Sequence, residues 1–249
     1  MTQYDGILAE MVLFDGHDED QISGYLARPV GAGPFPGIIV IHAAPGYVSH
    51  FKEVALKFAS AGYIAIAPNL HHREGPGDPE DVGSDVREAG GVPDDRCIGD
   101  IEGSLSLLQS LTYYSGKIGV IGYCSGGRQV YLVACNIPSL DAAIDCYGGN
   151  VVTGSEDLTG RQPVAPIDLT ADMNCPILGL FGADDPSPSP EDTKATELAL
   201  KRNGKIYEFH TYENAGHAFF ADYRPNYRQH AAVDGWERVF SWFSKYLLN

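Results

Sequence analysis

The chain is poor in basic residues. Across 249 residues, 17 Lys and Arg stand against 33 Asp and Glu, a formal net charge of −16. A surface of that sign repels nucleic-acid phosphates and anionic lipid headgroups, so neither nucleic acid nor membrane is expected as a partner. The acids are scattered, and the short runs Asp18-Glu19-Asp20 and Asp94-Asp95 read as solvated loops. No apolar run approaches the roughly 18 residues that a membrane span needs. Met1-Thr2-Gln3-Tyr4-Asp5-Gly6 has no basic start leading into an apolar core, so no secretory leader is expected and the location read from the sequence is cytoplasmic. Cysteine is scarce: Cys97, Cys124, Cys135, Cys146 and Cys175 make an odd set without a C-x-x-C pair. That argues against a disulfide framework and a zinc site and fits a reducing compartment. His71-His72 has no evident third ligand, so no metal and no cofactor is expected. Repeats and low-complexity tracts are absent, which excludes solenoids and disordered tails.

What is present is an alternation of strand and helix signals. Gly37–His42, Tyr63–Pro68, Lys117–Gly122, Ala142–Tyr147, Pro176–Gly182 and Ile206–Tyr212 are short runs of strand character. Between and after them, Phe51–Ala61, Asp100–Leu111, Arg128–Ala134, Glu191–Arg202 and Val233–Leu248 carry helical spacing. Continuous apolar strands alternating with helices predict an α/β fold with a mostly parallel central sheet covered on both faces. One domain over 1–249 accommodates the pattern, with loop-rich insertions at about 71–96 and 148–174 near the sheet rim.

Gly122-Tyr123-Cys124-Ser125-Gly126 has the form G-x-nucleophile-x-G, with a strand before it and a helix after it. A sharp strand-to-helix turn lifts the central side chain above the sheet, and the helix N-terminus behind it favours a thiolate and supplies amide donors for an oxyanion. Register selects Cys124 over the adjacent Ser125, because a Ser125-centred motif would need glycine where Tyr123 stands. The strand Pro176–Gly182 is followed by Ala183-Asp184-Asp185, and Ile206–Tyr212 by Asn214-Ala215-Gly216-His217. The chain order Cys, Asp, His suits a hydrolase triad in which His217 is the base and an aspartate orients it. Asp185 is the first choice and Asp184 the alternative. The oxyanion donors are expected at Ser125 N–H and, since Pro45 has no N–H, at Ala44 N–H. Tyr47, Tyr123, Phe219 and Tyr223 are candidate lining aromatics, in a pocket walled by 71–96, 148–174 and 218–228.

These motifs, Gly-Tyr-Cys-Ser-Gly-Gly at 122–127, Gly-Ala-Asp-Asp at 182–185 and Ala-Gly-His-Ala-Phe at 215–219, resemble the dienelactone hydrolase family from about residue 25 onward. Ala67-Pro68-Asn69-Leu70 also fits. The resemblance implies an α/β-hydrolase fold and acyl-enzyme hydrolysis of a small-molecule ester or lactone by Cys124, Asp185 and His217, in a monomer or small homo-oligomer. Two positions depart from the family pattern. Ala43 stands where the family often has a glutamate that holds the resting thiol, which points here to a direct Cys124–His217 ion pair. Of two arginines that hold a substrate carboxylate in the type members, Arg73 matches one position, while Ala221 occupies the other and Arg224 is out of register. Arg73, Tyr123 and Phe219 are therefore the substrate-contact candidates, with a loop salt bridge as the competing role for Arg73. Two other functions stay open on the same residues: attack on a different electrophile such as a phosphoester, and a non-catalytic binding protein.

Overall fold

The computed structural model describes residues 6–248. The leader reading on Met1–Gly6 therefore falls almost wholly outside the described residues. The described residues build one sheet of eight strands: β1 (Ile7–Asp15), β2 (Gln21–Pro29), β3 (Phe35–Ile41), β4 (Ile64–Pro68), β5 (Tyr114–Tyr123), β6 (Ala142–Cys146), β7 (Ile177–Gly182) and β8 (Tyr207–Tyr212). Their spatial order is β1-β2-β4-β3-β5-β6-β7-β8. β3 to β8 run parallel, while β2 pairs antiparallel with both β1 and β4.

The helices are α1 (Ser49–Ser60), α2 (Pro79–Glu88), α3 (Asp94–Ser110), α4 (Ser125–Asn136), α5 (Pro190–Arg202) and α6 (Gln229–Leu247). β3 shows why they flank both faces. All seven of its residues are buried. Alternation sends Ile39 and Ile41 into a core shared with Ile101 of α3 and Val130 of α4, and Ile38 and Val40 into a core shared with Phe58 of α1 and Phe243 of α6. Each such fully buried large side chain contributes roughly 1.5–3 kcal/mol of transfer free energy.

Three expectations need correcting. The stretch 71–96 is not a plain loop: it holds a short turn of 3-10 helix at His72–Glu74, the helix α2, and the start of α3. Asp78 caps α2 by accepting from Glu80 N–H at 2.9 Å, with Pro79 in the first turn, a start signal hidden by the surrounding glycines. The stretch 148–174 likewise contains a 3-10 segment, Pro166–Asp172. The antiparallel pair β1–β2 extends the sheet before Gly37, where no strand is expected from the sequence. Among the described residues, no helix is long and apolar enough to cross a membrane.

Candidate active site

The elbow forms at the end of β5. Cys124 N–H bonds to Cys146 O of the neighbouring strand at 3.0 Å, and Cys124 O accepts from Gly127 N–H at 2.9 Å as α4 begins. The chain reverses within that one residue, leaving Cys124 at φ 57° and ψ −120°, a conformation that costs a non-glycine residue of order 1–3 kcal/mol. The flanking glycines are steric requirements. A Cβ on Gly122 would lie 2.1 Å from Gly126 O, and one on Gly126 would lie 2.5 Å from Ile41 O and 2.7 Å from His42 O. α4 thus packs backbone to backbone against the end of β3, which brings the following loop over the sulfur.

That loop is held by His42. Its Nε2 accepts from Leu70 N–H at 3.1 Å, so the proton sits on Nδ1, which donates to Ala43 O at 3.0 Å. Burial and the neighbouring His71 push the His42 pKa down to about 3, so the ring stays neutral. The loop presents Ala44 N–H to the Cys124 thiol, which Ser125 N–H also reaches.

The structure brings Asp185 and His217 to the same place. Asp185 Oδ2 lies 2.9 Å from His217 Nδ1, and Oδ1 accepts from Ser187 N–H at 2.9 Å, so both carboxylate oxygens are engaged. Asp185 is buried, whereas Asp184 is exposed and its N–H is spent on Ala215 O. Burial alone would lower the pKa of His217, but Asp185 and the Cys124 thiol raise it to about 10. Burial works against the Cys124 thiolate too, yet His217 and the two amides outweigh it and the thiol titrates below its ordinary value. Cys97, Cys135, Cys146 and Cys175 are buried, and desolvation pushes each of them up instead.

Two lobes meet at Cys124 and His217. The larger, about 620 Å³, is walled by α2 and by residues 149–162 and reaches along α4 to Arg128 and Gln129. The smaller, about 80 Å³, is lined mainly by carbon: Ala43, Pro45, Phe51, Ala218, Ala221 and the rings of Tyr123, Tyr147 and Tyr223. Tyr123 is buried there, and its hydroxyl has no partner among the described residues.

The family model of the dienelactone hydrolases matches residues 22–247. The chain belongs to the dienelactone hydrolase family. It is accordingly a hydrolase of the α/β-hydrolase superfamily. An Escherichia coli (strain K12) relative, provisionally named a carboxymethylenebutenolidase, is 37% identical over 232 residues, 91% of this chain and 83% of the relative. A crystal structure from Klebsiella pneumoniae, provisionally named a dienelactone hydrolase, superposes with a TM-score of 0.88 at 32% identity, covering 97% of this chain and all of the other. A dienelactone hydrolase-like promiscuous phosphotriesterase from metagenomic libraries, at 22% identity, 96% and 98% coverage and TM-score 0.79, shares the fold.

Around this site, two expected substrate contacts need correcting. Arg73 lines neither lobe: Nη1 and Nη2 bond Asp100 at 2.9 and 3.0 Å, and Nε bonds Asp20 at 2.9 Å. The carboxylate of Asp100, fully buried, demands that cation. Phe219 is fully buried behind the site, stacked on Phe220 and packed on Tyr147. Tyr47 also stands away from both lobes, its hydroxyl donating to Ala67 O at 2.9 Å. Of the four candidate aromatics, Tyr123 and Tyr223 line the small lobe. Arg224 lines it as well, 3.3 Å from Glu80. The sequence reading missed Arg128 and Gln129. A signal was present: they follow Cys124 and Ser125 by four residues, one helical turn along the face that looks into the cleft.

Proposed function

We propose that this protein hydrolyses carboxylic esters or lactones through a Cys124–His217–Asp185 triad and an acyl-enzyme. The observation that carries the reading is the set of contacts that meets at Cys124: His217 and the amides of Ala44 and Ser125 reach its thiol, while Asp185 Oδ2 lies 2.9 Å from His217 Nδ1. These contacts lower the thiol and raise the imidazole, which favours a resting thiolate–imidazolium pair. Asp185 on Nδ1 leaves Nε2 to work toward the sulfur. The small side chain at Ala43 puts no carboxylate next to the thiol.

In the proposed reaction the Cys124 thiolate attacks the carbonyl carbon, forming the C–S bond while the carbonyl π pair becomes an oxyanion. Ala44 N–H and Ser125 N–H receive that charge. The oxyanion collapses, the C–O bond to the leaving group breaks, and His217 gives its proton to the departing alkoxide. Neutral His217 then takes a proton from water, whose oxygen attacks the thioester. Collapse of this second intermediate breaks the C–S bond and returns the thiolate.

The test is hydrolysis of 4-nitrophenyl acetate. Cys124→Ala and His217→Ala are expected to abolish turnover, and a short quench is expected to trap one acetyl group on a peptide containing Cys124. Turnover that survives Cys124→Ala but vanishes in Ser125→Ala would move the nucleophile to the serine and overturn the assignment.

A further inference from the structure

The small lobe shares one side chain with a second cavity. His50 lines the lobe, about 80 Å³, and also a surface cleft of about 180 Å³ between α1 and α6. Among the described residues it alone lines both. The helix explains the position. His50, Glu53, Val54 and Lys57 follow the i, i+3, i+4, i+7 spacing of one face of α1 and form one wall of the cleft. Ala232, Val233 and Trp236 of α6 form another. Between lobe and cleft runs the segment 220–223, whose residues alternate. Ala221 and Tyr223 line the lobe, whereas Phe220 and Asp222 line the cleft.

His50 fills the gap between that segment and α1. Its ring centroid lies 5.1 Å from that of Tyr223 and 5.3 Å from that of Phe51, both on the lobe side. On the cleft side its Nδ1 stands 3.7 Å from Asp222 Oδ1, beyond hydrogen-bond length, so ring packing holds it in place. Burial lowers the pKa of His50, Lys57 adds to that, and Asp222 and Glu53 oppose it without prevailing, so the partition is neutral at neutral pH. Outside the triad, the ionised residue lining the lobe is Arg224; its side chain is 35% exposed and Nη2 lies 3.3 Å from Glu80 Oε1. Its charge is therefore solvated and paired at the rim.

On the ester-hydrolase reading, the two lobes that meet at Cys124 take the two substituents of the attacked carbonyl. The small lobe has room for about three water-sized groups. A nitrophenyl ring exceeds that, so in a 4-nitrophenyl ester the acyl chain enters the small lobe and the ring the large one. A butyryl chain fills the lobe, and a longer chain meets the imidazole. Behind the imidazole, the cleft has more than twice the lobe's volume, and the buried Val54, Phe220 and Ala232 offer carbon to pack against.

From this arrangement we infer that His50 is a specificity-determining residue: its ring is the partition that limits the small lobe to short acyl chains and closes the way into the cleft between α1 and α6. The inference rests on the ester-hydrolase reading and names the part of the substrate that the site measures.

The test is the chain-length profile of kcat/KM on 4-nitrophenyl acetate, butyrate and octanoate. The wild type is expected to lose at least tenfold between butyrate and octanoate. His50→Ala and His50→Ser remove the ring, and Asp222, 65% exposed, is left in water rather than buried without a partner. Both variants are expected to raise the octanoate-to-acetate ratio by about tenfold, well inside the worth of the extra buried methylenes. His50→Phe keeps a ring in the partition and is expected to keep the wild-type ratio. Adding Val233→Phe to His50→Ala places a ring in the cleft and is expected to reverse most of the gain. A wild type that turns over octanoate as well as butyrate, a ratio unchanged in folded His50→Ala or His50→Ser, or a gain untouched by Val233→Phe would overturn this inference while leaving an ester hydrolase. Absence of turnover on all three esters, with Cys124→Ala no different from wild type, would overturn the hydrolase reading and this inference with it.

Discussion

Asp185→Asn isolates the electrostatic part of the site while conserving its shape. The asparagine carbonyl can still accept from Ser187 N–H, but the group facing His217 Nδ1 loses its charge. A hydrogen bond to a charged group contributes about 1.5–3 kcal/mol. His217 is 30% exposed at its side chain, so the lower part of that range applies. At roughly 1.4 kcal/mol per pH unit, the imidazole is expected to fall by about one to two pH units from its position near 10. The Cys124 thiol moves the opposite way, because its imidazolium partner weakens. The thiolate–imidazolium pair exists between the two titrations, so the variant narrows its pH window from both ends. The wrong neutral tautomer of His217 is also no longer disfavoured, and kcat/KM is expected to fall by roughly a thousandfold. The assay is the pH dependence of Cys124 alkylation by iodoacetamide, run beside 4-nitrophenyl acetate hydrolysis, with thermal unfolding as the control for folding. The reasoning fails if wild-type alkylation follows one ordinary thiol titration near about 8.5, or if the profile of a folded Asp185→Asn protein superposes on it.

Three further outcomes follow from the packing. Gly126→Ala would drive a methyl into Ile41 O and His42 O and is expected to cost more than about 2 kcal/mol, read as a lower denaturation midpoint with activity lost in the folded fraction. Arg73→Ala strands the buried Asp100 carboxylate and is expected to destabilise by roughly 3–5 kcal/mol, while KM for neutral and anionic esters alike stays at the wild-type value; a selective rise for anionic esters would return Arg73 to the binding site. Asp145 is buried, and desolvation, opposed by Gly148 N–H, pushes its carboxyl up to about 7. The folded protein therefore holds a proton that the unfolded chain releases near pH 4, so stability falls as pH rises between about 4 and 7, by up to about 4 kcal/mol; Asp145→Asn is expected to flatten that slope in denaturant midpoints taken at pH 5 and pH 8.

The inner strands were legible because burial on both faces leaves a run of apolar residues with nothing to dilute it, as in Phe35–Ile41. β1 was not. It lies at the sheet edge with Leu8, Met11 and Leu13 exposed, and no glycine-rich turn of the two-residue hairpin kind separates it from β2. α2 escaped for another reason: its only strongly apolar residues, Val82 and Val86, are too few to set a period, and the Asp78-Pro79 start sits among glycines. In the site, the strand-end positions of Cys124, Asp185 and His217 follow from chain order, since a parallel sheet gathers those ends along one edge. Arg73 shows the limit of such reasoning. The family resemblance marks it as a substrate contact, but the partner that claims it, Asp100, lies in α3, which begins at Asp94, six residues before the start that the sequence suggests.

The resting thiol is where the two halves of the mechanism constrain each other. With alanine at position 43, no carboxylate there can accept the thiol proton or hold the sulfur out of line, so His217 and the amides of Ala44 and Ser125 supply its stabilisation. On the proposed mechanism these amides are also the oxyanion donors. When the carbonyl oxygen enters, it competes with the sulfur for the same N–H groups. The thiolate therefore loses hydrogen bonds as the new C–S bond consumes its charge, and the donors change partner without moving. A sulfur held instead by a separate carboxylate would need that group to shift first. The neutral, doubly bonded His42 fixes the Ala43 carbonyl and with it the direction of Ala44 N–H, which lets one pair of donors serve both the resting anion and the oxyanion.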